Sequence, residues 1–281
     1  MTAILHRLIR KAPKRQLLHE IVPQETWQKR NLFAVITWGS TATSWISKIL
    51  NHHPEIFCVH ELAMILDQSK LYASNDLWAK FDPIDFMKII ARLSVHYKVG
   101  GDVHSLRTED VPPLREFFGE RFSSVVIERE PISRLKSTIS MYNKRKQYKL
   151  FNIQYVDDII SRNKVSLPKF DYEHKLFVHG VNLLNIIEQE INHNCGKIFR
   201  MEDLISDTKQ LKLLIEEISS GELSADNDLL NKMIKTYPTN QRASKEKIEF
   251  EDWQIDVIKL VVSNKAWDLY SKVGYDKPHF I

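Results

Sequence analysis

The sequence predicts an α/β fold in which a central parallel β-sheet of about five strands is flanked by helices. Short apolar runs rich in β-branched residues recur along the chain, as is typical of buried strands. Segments with helical spacing lie between them, and helical crossovers between strands indicate a parallel sheet. The 281 residues contain no repeat and no linker-like stretch. We therefore expect one domain over residues 1–281, with an N-terminal arm or surface helix at 1–30.

Five short runs are predicted to form the strands. They are Leu32–Thr37, Ile56–Val59, Tyr97–Val103, Ser123–Ile127 and Lys197–Arg200. Gly100 and Gly101, in the third run, allow a neighbouring segment to approach closely. Ligands of such sheets bind at the carboxyl ends of the strands, so the residues that follow these runs are the first candidates for a site.

Helices are predicted between and after the strands. The earlier ones are Ser44–Asn51, Leu62–Lys70, Ile84–His96, a segment opening at Asp110 and one from Pro131 to about Lys146. The later ones are a long helix with an apolar stripe of Phe177, Leu184, Ile187 and Ile191, then 207–219, 225–235, Trp253–Val262 and Lys265–Val273. Gly274 is expected to end the last helix in a left-handed conformation. The polar segment Thr236–Ile248 is expected to be an irregular loop.

Composition narrows the class of protein. The net charge of +4 and the pI of about 8.8 are compatible with an anionic ligand without requiring one, and no nucleic-acid partner is predicted. Cys58 and Cys195 form no CxxC pair, which favours a reducing compartment and a cytoplasmic location. No apolar run reaches the roughly 18–20 residues that span a bilayer. The basic N-terminus, interrupted by Pro13, is either a solvated arm or a peripheral membrane contact.

The stretch from Leu32 to Trp45 predicts an anion site. An apolar strand breaks at a hydroxyl-rich turn and enters a helix. The first N–H groups of a helix lack intrahelical partners and carry the positive end of its dipole, so they bind anions. A simple helix N-cap is the alternative interpretation. The turn and helix start consist of Gly39, Ser40, Thr41, Ala42, Thr43 and Ser44.

Three further polar groups follow predicted strands. They are His60-Glu61, Asp102–Ser105 and Glu128–Ser137. In the last of these, Arg129 stands at the strand end and Ser137 lies in the following helix, and together they suit one phosphate. Lys136 is expected on a solvated face, and Arg134 is either solvated or a further phosphate ligand.

These groups resemble a known family in their order. The strand–GSTATSW–helix segment, HP-x5-HE, R-x-P-x2-R-x2-S and RMEDL are similar to segments of the sulfotransferases that use 3′-phosphoadenosine 5′-phosphosulfate (PAPS). The resemblance spans Leu32 to Tyr275 and is closer to carbohydrate and tyrosylprotein members than to the cytosolic phenol type. It implies a P-loop-NTPase-like three-layer sandwich, PAPS as co-substrate without a metal, and a hydroxyl acceptor such as a glycan.

The resemblance also implies which residues hold the nucleotide. Gly39 and Ser40–Ser44 would hold the 5′-phosphosulfate, and Arg129 with Ser137 would hold the 3′-phosphate. Trp45 would stack on adenine, with core packing as the alternative. Arg242 would add a phosphate contact, unless its segment is simply a solvated basic loop. Arg200, Glu202 and Asp203 are expected to fix a strand end by ion pairs and capping.

Sulfuryl transfer to a hydroxyl requires a base and a positive charge. Glu61 follows the second strand where the related enzymes place a catalytic glutamate, with an N-cap as the alternative role. His60 is the neighbouring candidate, because an imidazole with a pKa of about 6.5 suits proton transfer. His104 is the candidate for supplying charge.

The chain departs from the family at the positions that usually carry cations. Ser40 stands where the family has Lys or Arg, Ala42 replaces the loop glycine, and Val103 replaces a lysine of the third strand. Lys48, in the first predicted helix, is expected either to reach back to the loop that precedes this helix or to face solvent. Three functions therefore stay open: a PAPS-dependent sulfotransferase, a non-catalytic nucleotide-binding relative, and another phosphoryl-transfer enzyme, although no Walker A sequence is present.

Overall fold

A computed structural model describes residues 28–38, 41–60, 82–144, 154–236 and 249–281. Several predictions lie outside these residues. They concern the N-terminal arm, Gly39, Ser40, Glu61, the Leu62–Lys70 helix, Arg242 and nearly all of the Thr236–Ile248 loop.

Within these described residues, the central sheet has five strands, all parallel, in the order β2-β3-β1-β4-β5. The predicted fold class is thereby confirmed. The third strand begins two residues later than the sequence indicated, at Val99. The strands are β1 Asn31–Ile36, β2 Ile56–His60, β3 Val99–Val103, β4 Phe122–Glu128 and β5 Lys197–Arg200.

Helices connect and follow the strands. Gly274 ends the last helix with a φ of 98°, as expected of a left-handed C-terminal residue. The first helices are α1 Thr43–Leu50, α2 Pro83–Leu93, α3 Val111–Phe118, α4 Pro131–Lys144, α5 Gln154–Arg162 and α6 Tyr172–Asn182. The later helices are α7 Ile186–Asn192, α8 Met201–Ser206, α9 Thr208–Ile218, α10 Asn227–Thr236, α11 Asp252–Val261 and α12 Asn264–Val273.

The prediction of one long helix through Phe177 and Ile191 is wrong. A 3₁₀ turn at Leu183–Asn185 separates α6 from α7, which shifts the helical phase. Ile191 is 43% exposed, although Ile187 in the same helix is fully buried, and it does not continue the apolar stripe.

Helices cover both faces of the sheet, which explains why β1 is buried along nearly its whole length. Phe33 and Val35 pack with apolar residues of α1, α9 and α10 on one face. Leu32, Ala34 and Ile36 pack with α2 and α3 on the other. A separate apolar cluster joins α4–α7 with α11 and α12. The close contact between β1 and β3 requires the predicted Gly101, since a Cβ at this position would lie 2.4 Å from the Phe33 ring.

Candidate anion-binding site at the carboxyl edge of the sheet

The turn before α1 is shaped by Ala42, which adopts a left-handed conformation with φ 53° and ψ 35°. Its carbonyl accepts hydrogen bonds from the N–H groups of Trp45 (2.8 Å) and Ile46 (3.1 Å). The N–H groups of Thr43 and Ser44 precede this first helical bond, where a helix end presents donors to an anion. Glycine adopts this conformation most readily, which gives a physical reason for the glycine that the resemblance implies at position 42.

Thr41 stabilises the turn from inside. Its side chain is buried, and its hydroxyl bonds the Thr37 hydroxyl and donates to the Trp38 carbonyl at 3.1 Å. By contrast, Thr43 is half-buried and Ser44 exposed at the start of α1. Of the described hydroxyls predicted to meet a phosphate, those of Thr43 and Ser44 are therefore better placed than that of Thr41.

Trp45 lies on the inner side of α1. It is buried and belongs to the apolar cluster shared with α9 and α10, so the core packing considered from the sequence is present. Its stacking on adenine stays a prediction. Lys48 is exposed and lies in the last turn of α1, about 7 Å along the helix axis from Thr43.

Two histidines from neighbouring strand ends lie together, and one of them contacts the start of α1. His60 Nε2 shares a hydrogen bond of 2.7 Å with the Thr43 hydroxyl. The rings of His60 and His104 are nearly parallel, with centroids 6.5 Å apart. The structure thus brings together three residues that the sequence placed in separate segments.

The orientation of His104 is fixed by the backbone of β1. Its Nδ1 lies 2.6 Å from the carbonyl oxygen of Thr37, and its own N–H donates to the carbonyl of Val35. Because a carbonyl oxygen can only accept, Nδ1 carries the hydrogen of this bond. In the neutral ring Nε2 is therefore the acceptor, and protonation of Nε2 would give the ring a positive charge.

Arg129 directly follows β4 and is half-buried. Burial lowers its pKa, while the carboxylates of Glu202 and Glu130 raise it. Desolvation of this kind strengthens the electrostatic attraction of a guanidinium for an anion. Ser137, the predicted partner of Arg129, is half-buried in α4.

The start of α4 is stabilised by the residues on either side of Arg129. The Glu130 carboxylate accepts from the N–H groups of Ile132 (3.0 Å) and Ser133 (2.6 Å), as an N-cap does. Arg134 is 2% exposed and forms an ion pair of 2.9 Å with Glu128. A solvated position for Arg134 is therefore wrong.

Lys136 is half-buried, with its ammonium 5.3 Å from the centre of the Phe250 ring. The predicted solvated face thus also includes a cation–π contact.

Glu190 is a buried acid that the sequence analysis missed. It is 1% exposed, and burial together with Glu128 raises its pKa well above the usual value. Burial lowers the pKa of Arg134, but the combined effect of Glu128, Tyr270 and Glu190 raises it above its usual value. The cluster of Glu128, Glu190 and Arg134 thus holds one cation and two carboxyls. No sequence pattern marks Glu190, because its partners come from β4 and α4.

The RMEDL segment at the end of β5 contains an ion pair and further hydrogen bonds. Arg200 Nε lies 3.7 Å from Asp203, and Glu202 accepts from the Glu130 N–H at 3.2 Å. Glu202 also accepts from the Tyr275 hydroxyl at 2.8 Å. The predicted ion pair of the RMEDL segment is present, but no side chain of the segment caps the start of α8. The participation of Tyr275 was not foreseen.

Two further features bear on ligands. A cavity of about 550 Å³ between residues 164–168 and α11 is lined by none of the predicted site residues. Among the described residues, no group of three or more His, Cys, Asp or Glu is arranged to hold a metal ion.

Within the part of the chain that the structure describes, no helix is both long and apolar enough to cross a membrane.

Comparison with known proteins gives likenesses of structure only. The chain matches no protein-family model, and no curated protein matches it. The sulfotransferase from Alicyclobacillus acidocaldarius is similar with a TM-score of 0.48 and 10% identity, over 89% of this chain and 98% of that one. Mouse sulfotransferase SULT7A1, complexed with PAP, is similar with a TM-score of 0.39 and 12% identity, over 89% and 87%. The fold class of this chain rests on its own sheet topology.

Proposed function

We propose that this chain is a sulfotransferase that moves the sulfuryl group of PAPS to a hydroxyl of a carbohydrate or related acceptor. The observation that carries the proposal is the meeting of Thr43, His60 and His104 at one edge of the sheet. Arg129 lies at the same edge, directly after β4, which pairs with β1. The four motifs, in the order found in sulfotransferases, add support from the sequence.

The residues present fit the two phosphate groups of the nucleotide. The N–H groups that open α1 and the hydroxyls of Thr43 and Ser44 suit the 5′-phosphosulfate. Arg129 and Ser137 suit the 3′-phosphate, because a guanidinium makes forked contacts with phosphate oxygens. β1 and β4 are neighbours in the sheet, so the two groups of donors follow adjacent strand ends.

The reaction assigns a task to each remaining candidate. The acceptor hydroxyl loses its proton to a base, a bond forms between its oxygen and sulfur, and the bond from sulfur to the nucleotide phosphate breaks. Glu61 and His60 are the candidate bases. The leaving phosphate gains negative charge, which the α1 N-terminus and a protonated His104 would stabilise.

A nucleotide-binding relative without catalysis is the second candidate. It is favoured by Ser40 in the usual position of a cation. Val103 is buried within β3, and Lys48 is exposed in the last turn of α1. On this alternative, Ser40→Lys would have little effect on turnover, whereas a sulfotransferase that lacks its cation would gain activity from the substitution.

The experiment combines binding with turnover. Calorimetry would compare adenosine 3′,5′-bisphosphate with ATP and GTP, and transfer of labelled sulfate from PAPS would be followed on glycans, peptides and phenols. We expect binding of the bisphosphate and transfer to at least one glycan. Absence of bisphosphate binding would overturn both nucleotide-based candidates, and preference for ATP or GTP would indicate a phosphoryl-transfer enzyme. Binding without transfer to any acceptor would favour the non-catalytic relative.

A further inference from the structure

The backbone on both sides of Arg129 is held by residues from distant parts of the chain. The carbonyl of Glu128 accepts from the Tyr275 hydroxyl at 3.0 Å, and the N–H of Glu130 donates to Glu202 at 3.2 Å. The same hydroxyl lies 2.8 Å from a Glu202 carboxylate oxygen, so its single hydrogen is shared between these two acceptors. The peptide groups before and after Arg129 are thus tied to one hydrogen-bonded pair.

The side chain of Tyr275 is held in place by its surroundings. The left-handed turn at Gly274 directs the chain away from α12, and the tyrosine that follows is buried. The Arg200 guanidinium lies 4.6 Å from the centre of its ring. Burial and the Glu202 carboxylate both raise the pKa of Tyr275, so its hydroxyl keeps the hydrogen that it donates.

Glu202 also acts on the charge of Arg129. Burial lowers the pKa of Arg129, and Glu202 is the leading group that raises it again. One carboxylate therefore accepts from the backbone beside Arg129 and helps to keep its guanidinium charged. Forked contacts to a phosphate depend on placement to within about 0.5 Å, so loosening this backbone would weaken them.

We propose that Tyr275 and Glu202 are positioning residues for the anion site at Arg129, and that they set its preference for nucleotides carrying a 3′-phosphate. This inference rests on the proposed function, which assigns the 3′-phosphate to Arg129. It adds Glu202 in α8 and Tyr275 after α12, and it assigns neither residue to the reacting atoms.

The test is Tyr275→Phe, which removes the hydroxyl and keeps the ring. The matched control is Tyr270→Phe, because the Tyr270 hydroxyl is also buried but donates to the Leu184 carbonyl at 3.0 Å. Calorimetry would give the affinities of adenosine 3′,5′-bisphosphate and of AMP for each protein. We expect the ratio of the two affinities to fall about tenfold in Tyr275→Phe and to stay unchanged in Tyr270→Phe.

A merely structural role would lower the melting temperature of both variants without changing this ratio. An unchanged ratio in Tyr275→Phe, or an equal fall in the control, would overturn the inference. Glu202→Gln serves as a second variant if Tyr275→Phe does not fold, and the same fall is expected. A wild-type protein that binds AMP as tightly as the bisphosphate would overturn the proposed function itself. If the wild-type protein prefers the bisphosphate and the variants prefer it equally, only the positioning role is overturned.

Discussion

His60 Nε2, at the end of β2, lies 2.7 Å from the hydroxyl of Thr43, the first residue of α1. The bond joins an imidazole to the helix terminus where the sulfuryl group is proposed to bind. The ring of His104 lies nearly parallel to that of His60, with the ring centroids 6.5 Å apart. A candidate base and the helix start proposed to bind the sulfuryl group therefore lie together, as the proposed transfer to a hydroxyl requires.

His60→Gln should lower turnover by roughly 10² to 10⁴ if His60 is the base. Nucleotide affinity should change little, because the N–H groups that open α1 remain. Sulfate transfer from PAPS measures turnover, and calorimetry measures affinity. His96→Gln is the control, since His96 is exposed and lies between α2 and β3. Wild-type turnover in His60→Gln, together with a large loss in Glu61→Gln, would move the role of base to Glu61.

Arg129→Ala should weaken binding of adenosine 3′,5′-bisphosphate by roughly 2–4 kcal/mol, as when one partner of a buried charge pair is removed. AMP should bind nearly as before, because it lacks the group that Arg129 is proposed to hold. Lys136→Ala is the matched control, since Lys136 lies in α4 and packs over Phe250. Equal affinities of wild type and Arg129→Ala for the bisphosphate would remove Arg129 from the site.

The residues near Arg129 show how far the sequence predicts the site. The strand, the helix start and Arg129 itself follow from local patterns, because apolar runs and turn residues act over a few positions. The burial of Arg134 does not, since it depends on Glu128 and Glu190, and a charged residue at that spacing is ordinarily exposed. Tyr275 reaches the Glu128 carbonyl across 147 residues, a distance over which no periodicity carries information.

The proximity of the two histidines also depends on contacts between distant segments, which local sequence patterns do not show. His60 and His104 could each be placed at a strand end, but their stacking follows from the pairing of β2 with β3. Strand order depends on how the connections cross over between strands, which the sequence of a single strand does not show. The break between α6 and α7 was likewise unmarked, because its 3₁₀ turn contains no Gly or Pro.

Ala42→Gly should stabilise the protein by about 0.5–1 kcal/mol. Alanine in the left-handed conformation is strained by its Cβ, whereas glycine is not, and the greater freedom of glycine in the unfolded chain offsets part of the gain. Urea denaturation measures the change. Ala91→Gly, within α2, should instead destabilise by about 1 kcal/mol or more. A loss of stability in Ala42→Gly would contradict the left-handed turn before α1.

Glu190→Gln should change the pH dependence of stability. Burial raises the pKa of Glu190 in the folded protein above the usual 4.5, so the folded state keeps a proton that the unfolded state loses. Wild-type stability therefore loses this contribution as the pH rises above about 4.5, by at most about 1.4 kcal/mol per pH unit. Glutamine mimics the protonated acid, so the variant should gain stability relative to wild type between about pH 5 and the folded pKa. Urea denaturation across this range measures the difference, with exposed Glu217→Gln as the control, and a difference that does not vary with pH would show that Glu190 is ionised in the folded protein.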